Sequence, residues 1–119
     1  MNNNIFFYLG LATIIVHEID AIRCKEWRIF PGLSLLGDTW GLRIFLIAHI
    51  PLFYFLFWGL IMQIDSNKLN YSLDIFFIVH VGLHLLFLKH PKNEFKDLIS
   101  WIIILSAGMF GLLDILIKK

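Results

Sequence analysis

Four long apolar runs, separated by short polar punctuation, make up most of this chain. They cover Ile5–Ile22, Trp40–Ile64, Tyr71–Leu88 and Leu98–Ile117. Each is close to the roughly 20 residues that a helix needs to cross a hydrocarbon layer. Inside such a layer the backbone must satisfy its own hydrogen bonds, so the runs predict helices rather than strands. Phe30-Pro31-Gly32 and Gly37-Asp38-Thr39 punctuate the first connection, with Asp38 or Thr39 placed to cap the second helix. Asp65-Ser66-Asn67-Lys68 turns between the second and third spans, and His90-Pro91-Lys92-Asn93 ends the third, with Asn93 placed to cap the fourth. Pro51 sits inside the second span, where it removes one backbone donor and predicts a bend. Short connections make consecutive spans neighbours. The predicted fold is all-α: one domain over residues 1–119, four transmembrane helices in a compact antiparallel bundle.

Composition agrees with the pattern. Hydrophobic residues make up 59% of the chain and charged residues 16%, against about 45–50% and about 25% in soluble domains. The mean hydropathy is +0.78. A net charge of +1 leaves no electrostatic footprint for nucleic acid. The single cysteine, Cys24, excludes an internal disulfide and any multi-cysteine zinc module, and reads as an inert thiol. Met1-Asn-Asn-Asn lacks the positive flank of a secretory signal, so the first span is expected to be retained.

Charge is unevenly placed. Of the ten Lys and Arg, seven flank the first and third connections: Arg23, Lys25, Arg28, Arg43, Lys89, Lys92 and Lys96. Only Lys68, Lys118 and Lys119 lie on the other side. The positive-inside rule then predicts a multi-pass protein of the inner (plasma) membrane, with loops one and three cytoplasmic and both termini outside. Trp27, Trp40 and Trp101 are expected in the cytoplasmic aromatic belt, with Tyr8 and Tyr71 in the outer one. Asp74 and Asp114 fall near the outer boundary, where capping or wetting is expected.

Ionisable groups inside a hydrocarbon layer mark a functional site by default. At ~1.5 Å rise per residue, His17 and His84 lie roughly 8 Å from the cytoplasmic boundary and His49 and His80 about 13 Å. His80 and His84 stack on one face as an i,i+4 pair, and His17 shares a face with Asp20. Three histidines with Asp20 or Glu18 can converge on one ion, and imidazole plus carboxylate suits zinc or iron. His17-Glu18-Ile19-Asp20-Ala21 begins like a zincin helix, but Ala21 stands where the second histidine would be. Each histidine also has a plainer reading as a hydrogen-bond partner between helices, and Arg23, Lys25, Glu26 and Arg28 one as a solvated interfacial run. Ala107, Gly108 and Gly111 form a small-residue stripe for close helix packing, including a homo-oligomer contact.

The runs His17-Glu18-Ile19-Asp20-Ala21 and Cys24–Gly32 resemble the opening of a small bacterial integral-membrane family of unknown function. His49-Ile50-Pro51-Leu52, His80-Val81-Gly82-Leu83-His84 and His90-Pro91-Lys92-Asn93-Glu94-Phe95 resemble its later pieces, so nearly the whole chain is covered. The chain is also distantly similar to HXXEE-type membrane proteins, with His-Glu-Ile-Asp where those carry a double glutamate. The resemblance implies a four-helix membrane protein with these His, Glu and Arg positions as its signature, and no activity.

Three functions compete at this point, and whether the protein is an enzyme stays open. The first is a divalent-metal site of His17, Asp20, His49, His80 and His84, acting on a lipid or small apolar substrate. In it Glu18 and Glu26 handle protons, and Arg23 and Arg28 hold an anionic headgroup. The second is a haem b electron carrier with His49 and His80 as axial ligands. The third is a non-catalytic oligomeric ion or proton pathway, or a membrane effector.

Overall fold

The computed structural model describes residues 4–63 and 65–118. Ile64 at the predicted end of the second span, Met1–Asn3 and the Lys119 of the charge count lie outside the described residues. Four helices carry the fold: α1 (Ile5–Arg23), α2 (Gly37–Met62), α3 (Ser66–Leu86) and α4 (Leu98–Ile117). Two single 3-10 turns, Glu26–Arg28 and Leu33–Leu35, fill the first connection. All four helices are long and apolar enough to cross a membrane, and no strand occurs among the described residues.

α4 packs along both α1 and α3, which touch each other far less. Small residues permit this. A Cβ at Gly111 would stand 2.8 Å from the Asp74 carbonyl oxygen, and one at Gly108 would stand 2.5 Å from a Val81 methyl. The close packing expected of the Ala107, Gly108 and Gly111 stripe is therefore made within the chain, and all three are buried there. α2 stands apart. It packs mainly on the two 3-10 turns and only lightly on α3, and its buried residues are Gly41 and Phe45.

Several local expectations are corrected. The second helix starts at Gly37, and neither Asp38 nor Thr39 is its cap. Asp38 instead accepts from Trp27 Nε1 (3.2 Å) and from Arg28 Nε and Nη2 (2.8 and 2.5 Å). Trp27 is not the exposed residue expected of the cytoplasmic aromatic belt: it is buried, with its ring against Gly41 and Phe45. Asp97, rather than Asn93, occupies the residue before α4. Asn93 has a different task, donating to the Leu88 carbonyl (3.1 Å) and accepting from the Phe95 amide (3.0 Å). Trp101 Nε1 donates to the Phe95 carbonyl (2.8 Å), so Phe95 is pinned from two sides and fully buried.

Asp74 and Asp114 are buried rather than wetted. Asp114 Oδ1 accepts from the Phe7 amide (3.2 Å) and so satisfies an open donor in the first turn of α1, while its other oxygen pairs with Lys118.

Candidate metal centre

The i,i+4 spacing of His80 and His84 stacks their imidazoles on the face of α3 turned inward, and His17 meets them from α1. Ring centroids lie 4.4 Å apart for His17–His80, 4.9 Å for His17–His84 and 4.6 Å for His80–His84. The fourth member comes from the connection. After α1 the chain turns through Lys25 in the left-handed region (φ 50°) into the first 3-10 turn, which carries Glu26. Glu26 Oε1 stands 3.4 Å from His84 Nε2 and 3.8 Å from His17 Nε2. Phe95 forms one wall, its ring 5.5 Å from that of His17 and 4.6 Å from that of His84.

One ligand atom from each of His17, Glu26, His80 and His84 lies within 4.8 Å of the other three, and all four residues are buried. A tetrahedral ion with bonds of about 2.0–2.1 Å sets its ligand atoms roughly 3.3 Å apart. The His80–His84 Nε2 separation of 3.2 Å and the His84–Glu26 distance already have that spacing. Neither ring nitrogen of His17, nor Nδ1 of His80, has a hydrogen-bond partner. Buried polar atoms left so are costly, and a cation shared by the cluster would satisfy ring nitrogens that now face only one another. Burial pushes the Glu26 carboxyl up, but the His17 and His84 imidazoles beside it outweigh this and hold it down to about 2.

The other predicted site residues go elsewhere. His49 and Glu18 pair with each other, Nε2 to Oε2 at 2.8 Å, while His49 Nδ1 lies 2.6 Å from the Phe45 carbonyl oxygen. Asp20 turns to α4, accepting from Ser100 Oγ (2.5 Å) and Arg23 Nε (2.7 Å). A 60° difference in helical phase from His17 is enough to send the carboxylate to α4 while the imidazole faces α3. Arg23 also donates to Ser100 Oγ (2.8 Å). Arg28 is forked onto Asp38 and donates to Glu94 (2.8 Å), joining the first connection, α2 and the third connection. Burial pushes the Cys24 thiol up, in keeping with an inert thiol. The geometry gives no support to a haem between His49 and His80, since His49 is turned onto Glu18 and His80 onto His84 and His17.

A cavity of about 330 Å³ opens beside the cluster, between α2 and α3. Glu26, His80 and His84 edge it on one side, Glu18 and His49 on another, and Phe45, Leu52, Phe76, Leu83 and Phe87 supply apolar walls. A separate recess of about 360 Å³ lies at Arg28, Ser34, Asp38 and Lys92, where Arg28 and Asp38 satisfy each other.

Sequence reasoning left Phe95 and Asn93 without a role in the site. The His90–Phe95 run was visible as a signature, but a loop phenylalanine carries no periodicity to show that it walls an imidazole cluster. The family model described as Family of unknown function (DUF6713) matches residues 3–119. No curated protein and no solved structure matches the chain.

Proposed function

The chain belongs to this family of unknown function, and from its site we propose a membrane-embedded metal protein that acts on a lipid or small apolar substrate. His17, Glu26, His80 and His84 hold one divalent ion. Three imidazole nitrogens and one carboxylate oxygen suit zinc or iron, both of which accept such mixed donors. The observation that carries the reading is the convergence of four buried ligand atoms within 4.8 Å. With a coordination position left open to the cavity, an ion held there would supply Lewis acidity toward an oxygen of the substrate. The chain's own contribution is to orient that oxygen in the cavity, keep bulk water out with Phe45, Phe76 and Phe87, and offer Glu18 and His49 as the nearest proton-holding pair.

The protein sits in the plasma (inner) membrane in this reading. Seven of its ten Lys and Arg flank the first and third connections, which favours those on the cytoplasmic side. The cluster lies toward that end of α1 and α3, so the substrate is drawn from the cytoplasmic half of the bilayer.

Elemental analysis of detergent-purified protein tests the proposal. About one metal ion per chain is expected, lost in His80→Ala and Glu26→Gln and retained in Asp20→Asn and His49→Ala. Metal-free wild type from metal-replete cells, or full occupancy in His80→Ala, refutes it. An optical scan of the same sample identifies haem directly, and a Soret band would replace the reading with the electron-carrier one.

A further inference from the structure

We infer that the cavity between α2 and α3 binds a single-chain amphiphile with an uncharged oxygen-bearing head, such as a long-chain alcohol, aldehyde or amide. The inference rests on the metal-centre reading for the partner that the head meets.

The head is uncharged because of what surrounds it. Among the described residues no Lys or Arg lines the cavity. The two arginines expected to hold an anionic headgroup are engaged: Arg23 by Asp20 and Ser100, Arg28 by Asp38 and Glu94. The cavity's own polar groups are two carboxyls and three imidazoles. Phe45's carbonyl only accepts, so His49 Nδ1 carries a proton. One further proton then lies between His49 Nε2 and Glu18 Oε2, whichever atom holds it, and the pair is neutral as a unit. A phosphate monoester placed here would bring close to two negative charges at neutral pH. That is more than the one net positive charge that a divalent ion and the Glu26 carboxylate leave at the centre, and no described Lys or Arg lines the cavity to meet the rest. A hydroxyl or carbonyl costs far less to bring in: its oxygen meets the ion of the metal-centre reading, and a hydroxyl or amide proton finds an acceptor at Glu18 Oε1, which the His49 contact leaves free.

The tail follows from size and from the mouth. At roughly 30 Å³ per small group, about 330 Å³ holds on the order of ten non-hydrogen atoms. That is a head and the first several carbons of a chain, not a whole lipid. Leu52, Phe76 and Leu83 line the cavity and are each about half exposed on the outer faces of α2 and α3. The mouth therefore opens sideways, where the light packing of α2 on α3 leaves a slot. The rest of the chain trails through that slot among the lipid tails.

Photolabelling with a diazirine-bearing hexadecanol, in lipid nanodiscs, tests this. Crosslinks are expected on the peptide carrying residues 76–87, displaced by excess unlabelled hexadecanol and not by hexadecyl phosphate. Leu83→Trp and, separately, Leu52→Trp should cut the displaceable labelling at least tenfold while the metal content stays at the wild-type level. Leu112→Trp, on an exposed face of α4, should leave it unchanged. Displacement by the alkyl phosphate at equal concentration, or labelling spread over α2 and α4 that excess alcohol does not reduce, overturns the inference. Metal analysis of the same samples keeps the two readings apart. Displaceable labelling on metal-free wild type refutes the metal centre alone, and undisplaced labelling on metal-loaded protein refutes the amphiphile site alone.

Discussion

Truncating Phe95 to alanine probes the link between packing and the proposed metal centre. Its side chain is 1% exposed, and its backbone is held by Asn93 and by Trp101 on α4. Loss of a buried phenylalanine costs about 3–5 kcal/mol when the surroundings collapse only in part. Here two imidazole rings lean on it, at 5.5 Å and 4.6 Å, and aromatic contacts add about 0.5–1.5 kcal/mol each beyond burial. The upper half of that range is therefore expected. His17 and His84 would lose the wall that fixes their rings, and removal of such an orienting neighbour typically weakens metal binding about 10–100-fold. Reversible unfolding in mixed detergent reads the first quantity, and competition with a chelating dye reads the second. Phe95→Leu restores most of the volume and should cost less than about 1.5 kcal/mol, with metal affinity between the two. A stability loss under about 1 kcal/mol for Phe95→Ala, or wild-type metal affinity in a clearly destabilised Phe95→Ala, refutes the placement of Phe95 as the wall of the centre.

Two glycine substitutions should differ in sign. Gly111→Ala drives a methyl to 2.8 Å from the Asp74 carbonyl oxygen and should cost about 1–3 kcal/mol by overpacking, whereas Gly82→Ala meets nothing within 4 Å and should gain about 0.5–1 kcal/mol from helix propensity; the same unfolding assay compares them. Arg28→Ala breaks contacts to Asp38 and Glu94 that are partly exposed, so only a small loss of stability is expected, with the metal content measured by elemental analysis equal to that of the wild type. Cys24 is buried, so maleimide should leave it unlabelled in the folded protein and label it fully in SDS.

The four helices were legible because a hydrocarbon layer leaves the sequence little choice: long apolar runs are the whole signal, and the observed ends differ by only a few residues. Helical spacing also placed His80 and His84 together, and depth matching brought His17 to their level. What spacing could not supply was the partner on each side. Asp20 shares a helix face with His17, yet Ser100 on α4 and Arg23 capture it. His49 lies at a suitable depth, but α2 stands off from the core, so its imidazole meets Glu18 instead of the cluster. Glu26, with an ordinary rim position in the sequence, reaches the imidazoles only because the chain reverses at Lys25, a turn that no periodicity announces. The burial of Trp27 escapes the sequence for a related reason. An aromatic near a boundary looks like a belt residue until Gly41 is seen to leave room for its ring.

The role of α4 as the common partner of α1 and α3 has a consequence for biosynthesis. His17 and the His80–His84 pair sit on helices that scarcely touch each other, and the helix that clamps them together comes after both in the chain. While α1, α2 and α3 are leaving the ribosome and partitioning into lipid, His17 has no fixed distance from the His80–His84 pair, and the seat proposed for an ion is unfinished. If the cluster holds the proposed ion, loading would wait for α4: a nascent chain stalled before Leu98 would be inserted but empty, and capture of metal would report that synthesis has passed the last helix.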